Sequence, residues 1–233
     1  MTWKQLFTSS IGKKLVMGFT GTFLILFLVV HVGMNACIWA NDGGIMFNKA
    51  AHFMEATVVI RILEVGLFAG IILHIVQGIT LEIQNRKKRS IGYQVPMGNR
   101  GSKWYSRSMG LLGTLILLFL IVHIKHFWVP NRLGGLANIH EIGVISYDGK
   151  AYHNLYGEML IVFQSLAVVV VYVLGCISLA YHLMHGFYSA FRTLGLHNPR
   201  YVRMVRATGT AFSIIVPLAF AMMPISIYLG WIS

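Results

Sequence analysis

Acidic side chains are scarce in this chain. Seven Asp and Glu stand among 233 residues, and all charged types together make 11%, under half of the roughly 25% usual for a soluble domain. That shortage excludes a water-solvated surface over most of the chain. Cysteine is nearly absent too. Cys37 and Cys176 form no CxxC pair and lie in or at the end of apolar runs. This excludes a disulfide framework and leaves two small buried apolar residues. No internal repeat and no low-complexity tract is present. The polar stretches hold roughly two dozen residues or fewer, below the size that folds alone.

What is abundant is hydrocarbon. Apolar residues make 56% of the chain, and the mean hydropathy is +0.68. Five apolar runs, 15–39, 57–83, 108–129, 157–188 and 208–231, are each long enough for the roughly 20 helical residues that cross a bilayer core. The expected fold class is therefore all-α, an integral membrane bundle of five transmembrane helices forming one domain over 1–233. The fourth run is long enough to project beyond the membrane. Pro217 and Pro224 should kink the fifth. The first run is too long for a signal-peptide core and holds His31, so it reads as a retained helix. Asn41-Asp42-Gly43-Gly44 and Asn131-Arg132-Leu133-Gly134-Gly135 carry turn chemistry.

The net charge of +12 does not point to nucleic acid, because the basic residues sit in short connections between apolar runs. Fourteen of the 19 Lys and Arg fall in the N-terminal segment, in 84–107 and in 189–207, all on one side of a five-helix topology. The positive-inside rule makes that side, and the N-terminus, cytoplasmic. The predicted location is the inner (cytoplasmic) membrane, crossed several times, with lipid as a partner. Basic loops of this kind suit an acidic partner or anionic headgroups.

Ionisable residues inside a membrane helix are costly and mark function by default. The first four runs each carry a histidine: His31, His74, His123 and His182. Counted from the cytoplasmic ends, His31 and His123 lie 16 and 15 residues deep, whereas His74 and His182 lie about 9 and 6 deep. The two levels differ by roughly 12 Å at the helical rise. Two imidazoles facing each other at one depth is the geometry of a six-coordinate haem. Two such pairs make an electron wire of two haem b groups. Gly78 and Gly186 follow His74 and His182 by one turn on the same face and would admit a flat macrocycle. His126 and His185 lie three residues from His123 and His182 and compete for their roles. His126, beside Lys125 and Trp128 near the outer interface, also reads as a propionate contact. His52, His140, His153 and His197 fall in or at loops.

These residues carry a family likeness. Phe27-Leu28-Val29-Val30-His31, Leu73-His74-Ile75-Val76-Gln77-Gly78, Ile121-Val122-His123 and Tyr181-His182-Leu183-Met184-His185-Gly186, in this order, resemble the single-chain dihaem cytochrome b anchor of succinate dehydrogenases and quinol:fumarate reductases. The resemblance covers nearly the whole chain. It implies an electron-transfer subunit of a multi-subunit oxidoreductase of the respiratory chain and tricarboxylic acid cycle, with the dicarboxylate chemistry on another chain. It implies an iron–sulfur subunit and a flavoprotein subunit on the cytoplasmic face, docked in part on loops 84–107 and 189–207, and a membrane quinone, expected to be menaquinone, as substrate. His74 and His182 would hold the proximal haem, and His31 and His123 the distal one. Near the distal level, Glu64 could handle the quinol proton or simply pair with Arg61 or a neighbouring helix. Glu55, Arg61 and His52 at the outer end of the same run could also serve. Lys87, Arg89, Tyr188 and Arg192 are the cytoplasmic candidates for propionate contacts. A transmembrane glutamate that some fumarate reductases carry two residues before the fourth-helix ligand is replaced by Ala180, which puts a proton route through that position in doubt. The outer loop 131–156 is long and suggests no function by itself.

Two rival readings stand beside this one. One is the dihaem cytochrome b of a formate dehydrogenase or hydrogenase; a bc-type cytochrome b, with two histidines on each of two helices, does not match. The other is a non-haem transporter using histidines and the 12 methionines, whose helices should be broken near the midplane by polar segments.

Overall fold

The computed structural model describes residues 2, 7–88, 103–136, 138–196 and 198–232. Lys4, Arg89, Arg100, His197 and most of the loop 84–107 fall outside them. Five helices are long and apolar enough to cross a membrane: Ser10–Ala40, Val58–Lys87, Met109–Leu133, Leu166–Thr193 and Val202–Tyr228. The chain is thus a multi-pass all-α membrane protein. The elements in order are α1 (Ser10–Ala36), a 3-10 turn (Cys37–Ala40), α2 (Ile45–Ala56), α3 (Val58–Lys88), α4 (Trp104–Arg107), α5 (Met109–His123), a π turn (Ile124–Trp128), α6 (Val129–Leu133), strands β1 (Val144–Tyr147) and β2 (Lys150–His153), α7 (Leu155–Val162), α8 (Leu166–Thr193) and α9 (Val202–Tyr228).

Three boundaries differ from the sequence reading, each for a local reason. The run 157–188 is two helices, α7 and α8, parted at Phe163–Ser165. Ser165 takes the position before α8, where its carbonyl accepts from Val169 N at 3.1 Å; serine favours that capping site. The third span continues to Leu133 through a π turn just before Pro130. Proline supplies no N–H to the carbonyl four residues back and its ring crowds that carbonyl, so the turn widens. Residues 45–56, expected as loop, form α2 behind the turn at 41–44, where Asn41, Gly43 and Gly44 have φ of 55, 67 and 83°. A Cβ at Gly44 would run into the Tyr156 ring. The fifth span remains helical through both Pro217 and Pro224.

Inside the spans, hydroxyls bond back to carbonyls one turn earlier. Thr20 Oγ1 donates to Val16 O at 2.8 Å, Thr22 Oγ1 to Gly18 O at 2.9 Å, and Ser213 Oγ to Gly209 O at 2.6 Å. A hydroxyl in hydrocarbon needs a partner, and its own helix supplies one.

The chain falls into two compact units. One comprises 1–28, 65–115 and 178–215, the other 29–64, 116–177 and 216–233. The first has a small core of Ile25, Leu183, Phe187 and Val205. Gly209 backs directly onto the Phe187 ring, where a Cβ would overlap Cδ1 at 2.6 Å.

The second unit has a larger core around Ile38, Phe163, Tyr172 and Met223, and it contains the long loop. Here 144–153 form an antiparallel hairpin with Tyr147 opposite Lys150. Its turn residues Asp148 and Gly149 have φ of 53 and 76°, the pattern of a type I′ turn, for which Asp-Gly between strand-forming residues is a strong signal. The loop is fastened at Asn48 of α2, which is 0% exposed. Its amide donates to Tyr147 Oη at 3.0 Å and Asn154 Oδ1 at 3.1 Å and accepts from Tyr156 N at 2.9 Å. Asn48 thereby ties α2, the hairpin and the start of α7. Asn48→Ala strands these partners in a dry site and is expected to cost about 2–4 kcal/mol, read by chemical denaturation in detergent. Lys49→Ala, which removes only the exposed pair with Asp148 at 3.2 Å, should stay within about 0.5 kcal/mol of the parent.

Candidate functional site: two facing imidazole pairs

Each unit brings two of the four intramembrane histidines together. In the first, the rings of His74 (α3) and His182 (α8) have centroids 6.2 Å apart at 65°. In the second, His31 (α1) and His123 (α5) stand 5.8 Å apart at 87°. The pairing expected from depth is the pairing observed. His182 rather than His185 faces His74. His123 rather than His126 faces His31, and His126 Nδ1 is engaged by Tyr172 Oη at 3.0 Å.

These separations suit one metal atom. An imidazole nitrogen lies about 2.0 Å from a bound first-row metal and roughly 1.1 Å from its own ring centre. Linear ligation by two rings therefore sets the centroids about 6.3 Å apart, whatever the angle between the ring planes. Ordinary edge-to-face packing spans the same range. Nδ1 of His123 and Nδ1 of His182 are buried without a hydrogen-bond partner, so neither ring has the orienting acceptor that a metal ligand bound through Nε2 usually has. Among the described residues no three His, Cys, Asp or Glu side chains converge as a protein-only metal site needs, which has no bearing on an iron whose equatorial ligands belong to a macrocycle.

Glycines line the rings, but not all at the expected places. A Cβ on Gly21 would lie 3.7 Å from His74 Cε1, and one on Gly113 would lie 3.7 Å from His182 Cε1. Of the two expected glycines, Gly186 faces open space and Gly78 faces Met17 Cε at 3.9 Å. A glycine on a neighbouring helix has no fixed offset from the histidine it faces, so spacing along one helix could not find Gly21 or Gly113.

The two pairs are supported differently. Thr20 Oγ1 lies 3.1 Å from His74 Nδ1. With its hydrogen given to Val16 O, that hydroxyl accepts from a ring protonated at Nδ1, the tautomer that leaves the Nε2 lone pair for a metal. At His31 the neighbour of Nδ1 is an amide nitrogen, Asn35 Nδ2, at 3.3 Å, which also donates to the His31 carbonyl at 2.8 Å. That bond makes Nδ1 the acceptor. Ligation through Nε2 requires the Asn35 amide turned over, with its oxygen toward the ring. Around His123 lies an aromatic cage: Phe119 stacks at 5.6 Å, Phe127 lies at 5.5 Å and Tyr172 at 6.0 Å.

The carboxylates of the second unit divide into two kinds. Glu64 does more than pair with Arg61, which lies 3.5 Å away. It accepts from Trp128 Nε1 at 2.6 Å and from both Nε and Nη2 of Arg132, at 3.2 and 3.0 Å. Both of its oxygens are committed. Glu55 contacts His153 at 3.3 Å through Oε2, while its buried Oε1 has no partner. His52 packs edge-on against Tyr152 at 5.0 Å. A cavity of about 110 Å³ opens beside this group, lined by Asn131, Arg132, Glu141 and His153 among others. In the first unit, Tyr188 is taken by Arg206, which donates to its hydroxyl at 3.2 Å, and Lys87 and Arg192 are exposed.

The fold and site define a five-span membrane protein with two facing imidazole pairs. No family model, no curated protein and no solved structure matches the chain.

The Glu64 cluster yields a stability test. The side chains of Glu64 and Arg132 are 19% and 14% exposed. Glu64→Gln removes the charge facing Arg132 and is expected to cost about 3 kcal/mol, because an unpaired buried cation remains. Glu64→Leu with Arg132→Met should cost clearly less than Glu64→Gln alone. A double-mutant cycle by denaturation in detergent measures both.

Proposed function

We propose that this chain is the dihaem cytochrome b anchor of a succinate:quinone oxidoreductase or quinol:fumarate reductase, carrying electrons between a cytoplasmic iron–sulfur subunit and a membrane quinone. The observation that supports it most is the presence of two imidazole pairs at metal-bridging separation, each from two different helices. On this reading His74 and His182 hold the proximal haem b and His31 and His123 the distal one. Bound there, the haems supply one-electron ferric/ferrous chemistry.

The remaining tasks fall to the side chains. Thr20 fixes the tautomer of His74. Phe119, Phe127 and Tyr172 exclude water from the His123 ring, and burial together with ligand hydrogen bonds tunes the potential of such a site. Quinol oxidation or quinone reduction needs an apolar cleft and a group that takes or gives a proton. With both oxygens bound to Trp128 and Arg132, Glu64 suits a structural role. Glu55, with one buried oxygen unengaged and His153 on the other, is the better-placed proton carrier. The flavoprotein and iron–sulfur partners belong on the basic cytoplasmic side, with the N-terminus, in the inner membrane.

The test begins with haem per polypeptide, by pyridine haemochrome on purified protein. Two b haems per chain are expected. His182→Ala should abolish one haem and spare the other, and retention of both would sink the ligand assignment. Thr20→Val should weaken haem retention at one site by about 10- to 100-fold, the usual effect of losing a group that orients a metal ligand.

A further inference from the structure

We infer that Lys13 binds an anionic oxygen that this protein does not itself supply, namely a propionate carboxylate of the macrocycle held by His74 and His182; the inference rests on the haem reading of that pair. Lys13 lies in the first turns of α1 and is only 9% exposed. Its ammonium donates to Gln84 Oε1 at 3.1 Å, a neutral partner. A buried cation is tolerated when a counter-charge faces it, and the chain has few to offer. Of its seven acidic residues, Glu82 alone belongs to this unit, and Glu82 is engaged by Arg86 at 2.6 Å. Among the described residues no carboxylate lies within 4 Å of Lys13.

The position of Lys13 indicates where the missing charge comes from. Gln84, Gln77 and His74 fall on one face of α3, at offsets of seven and three residues. The facing side of α1 presents Thr20 to His74 and Met17 to the Gly78 position. The strip that begins at the His74 ring therefore ends at Lys13, ten residues along α3, roughly 15 Å at the helical rise. Gln77, one turn from His74 on the same face, is 7% exposed, and its Oε1 makes no hydrogen bond. A ligand that is apolar in its body and anionic at its edge matches a strip that is imidazole at one end and ammonium at the other. A lipid phosphate shares the anionic-oxygen chemistry and is the competing source.

The experiment uses the purified full chain and the variants Lys13→Met, Lys13→Arg and Gln84→Leu. Haem content is quantified, each haem is titrated potentiometrically, and redox difference infrared spectra are taken on protein carrying haem labelled with ¹³C at the propionate carboxyls. In Lys13→Met the midpoint of one haem should fall, because the cation favours the ferrous state, and the labelled carboxylate bands of that haem should shift. The other haem, unchanged, reports an intact fold. Lys13→Arg should keep the parent values, and Gln84→Leu, which retains the charge, should move the midpoint less than Lys13→Met. Parent midpoints and bands in Lys13→Met overturn the inference, as does loss of one co-purified anionic phospholipid with both haems unaltered, which assigns Lys13 to a headgroup. Absence of haem from the parent protein removes the His-pair reading as well, whereas two haems in the parent with an unmoved Lys13→Met variant removes only the role of Lys13.

Discussion

In hydrocarbon a polar group has no water to turn to, and its partner must come from the protein or from something the protein binds. Most of this molecule obeys that constraint internally. Thr20, Thr22 and Ser213 return their hydroxyls to their own helices. Glu64 gathers a tryptophan and two arginines. Asn48 spends its donors and acceptor on three elements. Against that background the exceptions among the described residues stand out: the Nδ1 atoms of His123 and His182, Oε1 of Gln77, and the ammonium of Lys13 with no carboxylate to meet it. With the unpartnered Oε1 of Glu55, three of these five lie in the unit of the His74–His182 pair and two in the other unit.

The two imidazole pairs are built on different supports. His74 has a hydroxyl at Nδ1 that, bonded back to Val16 O, suits the tautomer presenting Nε2 outward. His31 has an amide whose present orientation does the reverse. The two pairs therefore differ in the hydrogen bonds made to their rings.

Much of this was legible in the sequence, and the exceptions have identifiable causes. Five spans followed from apolar length, and the pairing of the histidines from their depth. The break at Phe163–Ser165 was marked by the polar pair Gln164-Ser165 within an apolar run, and the hairpin by Asp148-Gly149; both are local signals that a count of apolar residues passes over. Pro130 marked the π turn in the same way. Arg132 and Trp128, the main partners of Glu64, were not legible, because they lie 68 and 64 residues away and nothing local couples them. The i−3 neighbour Arg61 was visible and proved the longer contact, at 3.5 Å.

The sequence by itself determined that this protein lives in a membrane, how many times it crosses, and which four histidines are buried at which depth. These follow from transfer free energy and helical rise, both additive along a chain. The tertiary structure alone decided what faces each histidine: Gly21 and Gly113 against the rings, Thr20 and not a carbonyl at His74, an aromatic cage at His123, and a lysine at the end of the α1–α3 strip. Those are relations between helices, set by rotation about their axes and by packing between residues distant in the chain, which no periodicity within one segment encodes.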